Sequence, residues 1–402
     1  MASAASDFRV TISLPRLLGL LLVLSALSLP FVVKDTAWAA GEHCMQKPYR
    51  ERVDCYAPVL EDVLRRDGTP QALKTLRQLA TADEAAQKFA HPLTHHIGRL
   101  TYAQDKNVAK AFLRCTDDFH NGCYHGVLEA HLSGMPHLTP RDVGEVCLGV
   151  KDPLRPDFTH AICTHGLGHG LMMYFQNDMF KALAYCDGLT GPSDQESCYG
   201  GVYMQNIVEF TSQSIGAQHS HAGHNGHAGR TEPRKFLDPN DQLYPCTAVA
   251  KKYQGACYLI QASAILALNG HNFAQTFMRC QQVPTEYLNI CIQSVGREVS
   301  AFTLADPETT KAICSLATPP LIGECLRGAA KDFIYAYADP QRGIALCRIA
   351  DKANKDDCYK GVGEVLISFY PDREQRREAC QSAELTHRAT CRGAKWWLFW
   401  LN

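Results

Sequence analysis

The sequence lacks an excess of charge of either sign. Its 402 residues include 40 Lys and Arg against 41 Asp and Glu, for a formal net charge of −1. The two signs are interspersed along the chain. Because nucleic-acid-binding surfaces depend on concentrated positive charge, the sequence predicts no nucleic-acid partner.

Long hydrophobic runs are scarce, and the clearest one lies at the N-terminus. The run "LLGLLLVLSALSLPFVV" (17–33) follows Arg9 and Arg16 and precedes Ala37-Trp38-Ala39, which has the small-x-small form of a cleavage site. A signal peptide over 1–39 is therefore predicted. The alternative, an uncleaved anchor, is disfavoured because the run is short for a membrane span and contains a proline. The mature chain is expected in a periplasm or outside the cell, without a transmembrane span.

Several enzyme signatures are missing as well. The sequence shows no Ser-His-Asp order, no phosphate-binding loop for nucleotides and no C-x-x-C-H haem attachment motif. These absences remove the sequence support for a serine hydrolase, a nucleotide-dependent enzyme or a c-type cytochrome.

Cysteine, in contrast, is plentiful and regularly spaced. Of the 18 cysteines, the last ten form five pairs whose members are 11 residues apart. The first members stand at 246, 280, 314, 347 and 380, so the unit recurs every 33 or 34 residues. A fixed period in this range is the signature of a repeat architecture.

Each unit has the sequence of a helical hairpin. Asp306-Pro307 precedes Cys314 and Asp339-Pro340 precedes Cys347, which is the pattern of an N-cap followed by proline in the first helical turn. The second cysteine often opens a further helical run, as in "CYHG" at 123 and "CYGG" at 198. The first cysteine is thus expected near the end of helix A, and the second near the start of helix B.

In-unit pairing would place all cysteines in disulfides, as in proteins from oxidising compartments, although spacing alone leaves other connectivities open. The nine predicted pairs are Cys44–Cys55, Cys115–Cys123, Cys147–Cys163, Cys186–Cys198, Cys246–Cys257, Cys280–Cys291, Cys314–Cys325, Cys347–Cys358 and Cys380–Cys391.

The period and the hairpin pattern resemble tetratricopeptide and Sel1-like repeat proteins, especially the cysteine-rich Sel1-like proteins. The resemblance implies a stacked-hairpin superhelix, that is, an all-α solenoid of about ten hairpins. The Trp, Leu-Gly and Tyr pattern of tetratricopeptide repeats is absent, so the resemblance carries over no functional residues. We expect N-terminal repeats over 40–215, a histidine-rich loop over 216–235 and C-terminal repeats over 236–402.

Histidines are confined to one part of this array. All of the 17 except His43 and His387 lie between residues 91 and 271. When the units are aligned on their second cysteine, His125 and His165 occupy the same position, and "LTHHIGRL" places His95 there too. Equivalent positions of stacked hairpins form a ladder on one surface. The three side chains should therefore be neighbours, and the C-terminal units should be bare scaffold.

Two of these histidines have a potential ligand one helical turn further on. His169 follows His165 at i+4, and Glu129 follows His125 at i+4, so each pair shares a helix face. His91 stands four before His95, although Pro92 suggests that His91 precedes the helix. The pattern predicts a metal site. Its candidate ligands are His95, His96, His125, His165 and His169, with Glu129 as a further ligand or general base.

The identity of the metal is left among copper, zinc and iron, because imidazole suits all three. Thioethers would favour Cu(I), but the nearby methionines are more typical of core filling; they are Met172, Met173, Met179 and Met204. The other interpretation of the ladder is a buried hydrogen-bonded histidine cluster without metal.

A second histidine feature is the segment "GAQHSHAGHNGHAGR" (216–230), where the cysteine spacing stretches. Such tracts are typical of weak metal capture, the alternative being an inert solvated loop. Its candidate ligands are His219, His221, His224 and His227.

The C-terminus "CRGAKWWLFWLN" contains Trp396, Trp397 and Trp400. It either folds back on the last unit or offers a docking face for a partner or a membrane surface. Together the features predict an exported metal-binding repeat protein that supports a metal-dependent reaction. The competing hypotheses are a metal-free protein-interaction scaffold and a cell-envelope hydrolase that depends on Glu129.

Overall fold

The computed structural model describes residues 36–150, 156–214 and 237–393, and this part of the chain is all-α, with twenty α-helices and no strand. The helices are α1 (Thr36–Met45), α2 (Tyr49–Asp67), α3 (Thr69–Ala82), α4 (Glu84–Lys88), α5 (Ala90–Asp105), α6 (Val108–Phe112), α7 (Asp118–Ser133), α8 (Pro140–Val146), α9 (Pro156–Tyr174), α10 (Met179–Cys186), α11 (Pro192–Ser214), α12 (Lys251–Leu268), α13 (Phe273–Cys280), α14 (Leu288–Phe302), α15 (Pro307–Cys314), α16 (Pro319–Tyr337), α17 (Pro340–Ile349), α18 (Lys355–Phe369), α19 (Arg373–Ala379) and α20 (Arg388–Cys391). In these ranges no helix combines the length and the apolar character needed to cross a membrane.

Three of the predicted features lie outside these ranges. The signal peptide run (17–33), the histidine-rich segment (216–230) and the three C-terminal tryptophans all lie outside the described residues. The predicted domain boundaries remain predictions.

The short helices begin where the sequence predicts. The side chain of Asp306 accepts a hydrogen bond from the backbone N–H of Thr309, and Asp339 accepts one from Gln341, with proline in the first turn of both helices. These caps satisfy backbone donors that a helix N-terminus otherwise leaves unpaired. The hairpin pattern is thereby confirmed at the residues that define it.

All nine predicted disulfides are confirmed, with Cα–Cα distances between 5.5 and 6.0 Å. The irregular pairs Cys115–Cys123 and Cys147–Cys163, separated by 8 and 16 residues, form in the same way. In most units the bridge joins the end of a short helix to the long helix that follows, so each hairpin is fixed across its loop.

The long helices start earlier than predicted. Helix α9 begins at Pro156, well before Cys163, and α11 and α16 likewise begin at a proline, Pro192 and Pro319. Proline is tolerated in the first turn because its missing N–H has no intrahelical partner there. On α9 the aligned histidine, His165, therefore lies in the middle of its helix, whereas His125 follows closely on the non-helical residues Phe119 to Asn121 of α7.

The long helices form one continuous row, in which α5, α7, α9, α11, α12, α14, α16 and α18 each pack against the next. The row curves until its two halves meet, because α7 contacts α16 and α9 contacts α18. At this contact the rings of Phe158 and Phe369 lie 4.6 Å apart, and His120 Nε2 lies 3.5 Å from Asp332 Oδ1. The C-terminal units thus contact the histidine-bearing helices α7 and α9, and their role as bare scaffold stays a prediction.

Candidate metal centre

Five imidazoles come together inside the row of long helices. His91 and His95 lie on α5, His125 on α7, and His165 and His169 on α9. The ring centroids of contacting pairs are 4.5 to 5.7 Å apart. His95, His125 and His169 are buried. We call these side chains the five-histidine cluster, and its formation from three consecutive units matches the predicted ladder.

Glycines allow the long helices around the cluster to approach closely. A Cβ at Gly126 would lie 2.0 Å from the backbone oxygen of His95 on α5, and one at Gly168 would lie 2.1 Å from the backbone oxygen of Cys198 on α11. Contacts this short with a backbone atom leave no room for a side chain. Gly126 therefore lets α5 and α7 approach, and Gly168 does the same for α9 and α11.

The ring nitrogens form two groups of potential metal ligands. His91, His95 and His125 offer one set, with one ligand atom from each within 4.8 Å of the others, and His125, His165 and His169 offer a second. His125 belongs to both. Three imidazoles at this separation form a nitrogen-donor set suited to a transition metal.

On α5, both imidazoles use Nδ1 for hydrogen bonds to oxygen. His91 Nδ1 lies 2.7 Å from the backbone oxygen of Phe119, and His95 Nδ1 lies 2.7 Å from Glu129 Oε1. Because a carbonyl or carboxylate oxygen can only accept, each Nδ1 carries the proton. In the neutral form of each ring, Nε2 therefore has a free lone pair.

On α9 the same arrangement recurs. His165 Nδ1 lies 3.2 Å from the backbone oxygen of Ser197, and His169 Nδ1 lies 2.9 Å from Gln205 Oε1. The His169 Nε2 atom is buried and has no hydrogen-bond partner among the described residues. Hydrogen bonds that hold one nitrogen and leave the other free are the usual support of metal-bound histidines.

The contact between His91 and His95 brings two ring nitrogens together. Their Nε2 atoms lie 3.0 Å apart, within hydrogen-bond distance. Because both Nδ1 atoms face oxygen acceptors, this contact requires either a proton, which makes one ring an imidazolium, or a metal cation bound by both lone pairs. Burial, reinforced by the charge of His95, lowers the pKa of His91 well below its ordinary value, so His91 stays neutral in either case.

His125, His165 and His169 are held neutral as well. Burial lowers the pKa of His165 to about 4 and that of His169 to about 3, and neighbouring imidazoles add to the shift of His169. Burial, followed by repulsion from His169 and His95, lowers the pKa of His125 well below its ordinary value. At neutral pH these rings are free bases, the form that binds a metal ion.

Glu129 supports the cluster through His95. Its side chain is 2 % exposed, Oε1 accepts from His95 Nδ1, and Oε2 accepts from Arg99 Nη1 at 2.7 Å. Burial raises the pKa of Glu129, but His95 and Arg99 outweigh burial and hold this pKa below its ordinary value. Because both oxygens are engaged, this carboxylate is placed to orient His95, and its role as a ligand or general base stays a prediction.

The remaining predicted candidates lie elsewhere. His96 belongs to neither ligand group, and its buried Nε2 has no partner among the described residues. Met172 and Met179 lie in the hydrophobic core, and Met204 packs against it, consistent with core filling.

His91 differs from the prediction in its local structure. Helix α5 begins at Ala90, so His91 is helical and Pro92 stands in the first turn, where no N–H is needed. Its acceptor, the Phe119 carbonyl, opens a left-handed stretch with φ of 51° at Phe119, 56° at His120 and 63° at Asn121. Three consecutive left-handed non-glycine residues are strained, and such strain concentrates at functional sites. No spacing in the sequence marks this acceptor.

Comparison with protein-family models, with characterised proteins and with solved structures gave no match. The chemistry of the cluster itself is therefore the basis for assigning its function.

Proposed function

We propose that this protein binds a transition metal at the five-histidine cluster. The observation that supports this most directly is the pair of Nε2 atoms of His91 and His95, which lie 3.0 Å apart with both Nδ1 atoms committed to oxygen acceptors. Two lone pairs at this separation repel each other unless a proton or a metal ion lies between them, and a metal ion would also use the neighbouring imidazole nitrogens. His125 completes this ligand group, and His165 and His169 form a second group with it.

Copper and zinc fit the cluster better than iron. The available donors are imidazole nitrogens, which suit copper and zinc, whereas non-haem iron usually adds a carboxylate to two histidines. Glu129, the carboxylate in contact with the cluster, is engaged by His95 and Arg99. All cysteines are in disulfides, so no thiolate competes for the metal.

Three protein ligands leave at least one coordination position open, as in catalytic rather than structural zinc sites. The cluster can therefore bind water or a small substrate at the metal and support a metal-dependent reaction. The nine disulfides are typical of proteins from oxidising compartments. Together with the predicted signal peptide, they support an exported metal-binding protein.

Elemental analysis of the full chain tests the proposal. We would replace the four histidines of the loop, His219, His221, His224 and His227, by alanine, so that any metal found belongs to the cluster. Copper or zinc should remain bound to this variant after gel filtration. Adding His165→Ala and His169→Ala should remove some or all of the metal, because the second ligand group loses two of its three members.

The matched control adds His137→Ala and His271→Ala instead, because both of these histidines are exposed and lie outside the ligand groups. It should keep its full metal content. Absence of metal from every variant, with unchanged thermal unfolding in chelator, would favour the metal-free scaffold.

A further inference from the structure

We infer that the five-histidine cluster holds two metal ions bridged by His125, whose imidazole binds one ion through Nδ1 and the other through Nε2. This inference rests on the proposed metal binding and extends it from a site to a dinuclear centre. It is drawn from the grouping of the ligand atoms and from the hydrogen bonds of His125.

The ligand atoms do not converge on one point. Among the described residues they fall into two groups of three, one built from α5 and α7, the other from α7 and α9. Only His125 belongs to both groups. One ion per group would have two imidazoles of its own, His91 with His95 and His165 with His169, and would share the fifth.

His125 stands in the centre of the cluster. Its ring centroid lies 5.7 and 5.2 Å from those of His91 and His95, and 5.3 and 4.5 Å from those of His165 and His169. From helix α7, its ring therefore contacts both pairs of imidazoles, the one on α5 and the one on α9. This is the position that a bridging ligand requires.

The hydrogen bonds single out the same residue. The other four imidazoles each use Nδ1 for an oxygen acceptor, but neither ring nitrogen of His125 has a partner among the described residues, although both atoms are buried. A neutral imidazole carries one N–H and one lone pair, and leaving both unpaired in the interior is unfavourable. One ion would satisfy only one nitrogen. Two ions satisfy both.

Binding of the second ion has a defined proton balance. The neutral ring gives up its remaining N–H proton to solvent and becomes an imidazolate, and each nitrogen then donates one lone pair to one ion. No electron is transferred and no other bond breaks. Two cations nearby favour this deprotonation, because metal ions lower the pKa of the groups they bind.

Copper(II) reconstitution with electron paramagnetic resonance tests the bridge. We would load the full chain, with the four loop histidines replaced by alanine, with excess Cu(II), remove unbound copper and compare the copper content with the spin count. About two copper ions per chain are expected, one for each ligand group. The imidazolate couples their unpaired electrons, so most of the resonance should be lost at low temperature.

Two single variants each disrupt one ligand group and leave the other group complete. His91→Ala removes a ligand of the first group and His165→Ala removes one of the second, while His125 remains in both proteins. Each variant should bind about one copper ion with a complete mononuclear spin count, because a single ion has no coupling partner. Far-ultraviolet circular dichroism of the metal-free forms confirms that each variant is folded.

The outcomes separate the two proposals. One copper ion per chain in the parent protein, or two ions with a full spin count, would overturn the bridge and leave metal binding intact. No copper bound to any form would overturn both. Two coupled ions in the parent that become one uncoupled ion in each variant would establish the dinuclear centre.

Discussion

The proposed metal binding at the cluster depends on which nitrogen of each imidazole carries the proton. In four of the imidazoles the Nδ1–H group donates a hydrogen bond to an oxygen atom. Three of these oxygens belong to Phe119, Ser197 and Gln205. The fourth comes from Glu129, which also binds Arg99. Because that acceptor is charged, its hydrogen bond to His95 is the strongest of the set.

Replacing Glu129 with glutamine tests this supporting role. Glu129→Gln keeps the size of the side chain and an oxygen acceptor, but removes the charge that makes His95 a better donor of its Nε2 lone pair. Metal affinity should fall about 10- to 100-fold, the usual effect of removing a partner of a metal-bound histidine. Competition titration with a chromophoric chelator measures it.

Glu145→Gln is the control, because Glu145 is an exposed carboxylate whose partner is Arg141. Its affinity should equal that of the wild type. Loss of all metal in Glu129→Gln, with normal folding, would instead indicate that Glu129 is itself a ligand.

A second carboxylate, the half-buried Asp187, predicts how stability depends on pH. Asp187 Oδ2 accepts hydrogen bonds from Lys252 Nζ at 2.7 Å and from the Tyr253 hydroxyl at 2.8 Å. Burial raises the pKa of Asp187, but hydrogen bonds from Lys252, Tyr199 and Tyr253 outweigh burial and lower this pKa. A carboxylate whose pKa is lower in the folded state stabilises the fold above its unfolded pKa of about 3.9 and loses this contribution as pH falls through the folded pKa.

Asp187→Asn should therefore lower the thermal unfolding midpoint at pH 7, and the difference from wild type should shrink as pH falls below about 4. Differential scanning calorimetry from pH 7 to pH 2.5 measures this convergence. Asp351→Asn is the control, since Asp351 is an exposed partner of Lys311. Parallel curves at all pH values would show that the Asp187 charge does not stabilise the fold.

At the scale of the elements, pairs of glycines set the distance between neighbouring long helices, here between α5 and α7 and between α14 and α16. A Cβ at Gly98 or Gly126 would lie 2.0 Å from a backbone oxygen on the facing helix, and the same holds for Gly296 and Gly328. At the position aligned with the histidine ladder in the next unit, a Cβ on Gly200 would lie 3.4 Å from His165 Nδ1. The series of aligned histidines therefore ends at His165, and the next unit has Gly200, without a side chain, beside that imidazole.

Gly126→Ala should destabilise the fold by about 2–3 kcal/mol, because the new methyl group forces α5 and α7 apart. The same displacement separates His95 from His125, so metal content should fall as well. Urea unfolding and elemental analysis measure the two effects. Gly149→Ala is the matched control, since nothing lies within 4 Å of a Cβ at Gly149. Equal stability of the two variants would show that the α5–α7 interface can expand without cost.

For the whole molecule, the main feature is the contact between the two halves of the helix row. Phe158 and Phe369 are both 3 % exposed and pack together, which joins α9 to α18. His120 and Asp332 form a second contact, between α7 and α16. Burial lowers the pKa of His120, but Asp332 outweighs burial and raises it, which favours the charged form of the pair. The histidine-bearing units are thus covered by units about 200 residues further along the chain.

Phe158→Ala/Phe369→Ala should open this contact. Removing two buried aromatic rings typically costs about 3–5 kcal/mol per ring, while the disulfides keep each hairpin intact. The radius of gyration from small-angle X-ray scattering should increase, with little loss of helical circular dichroism. Phe302→Ala serves as control because Phe302 is 60 % exposed. An unchanged radius of gyration in the double variant would mean that other contacts hold the row closed.

Much of this architecture was predictable from local patterns. The cysteine period, the Asp-Pro helix starts and the alignment of His95, His125 and His165 each depend on residues close in sequence, and the structure confirms the hairpins and the disulfides. Spacing also brought His169 to the same face as His165. In a repeat array neighbouring units stack on one another, so local periodicity predicts neighbours in space.

Other features of the site depend on tertiary structure. Packing between helices determines that Phe119, Ser197 and Gln205 supply the hydrogen-bond acceptors. In Phe119 and Ser197 the acceptor is a backbone oxygen, which every residue type has, so the sequence does not identify it. Whether Glu129 is a ligand or a support depends on the direction of its side chain, which Arg99 and His95 decide.

The sequence by itself determined the helical hairpins, their disulfides and the three units that bring histidine to one aligned position, because each follows from short-range spacing. Only the tertiary structure decided that the row closes on itself, that His91 joins the cluster while His96 stays outside, and that His125 lies between two ligand groups. These outcomes depend on the curvature accumulated over many units and on the rotation of each helix about its axis. Neither quantity is encoded in the spacing of any single pair of residues.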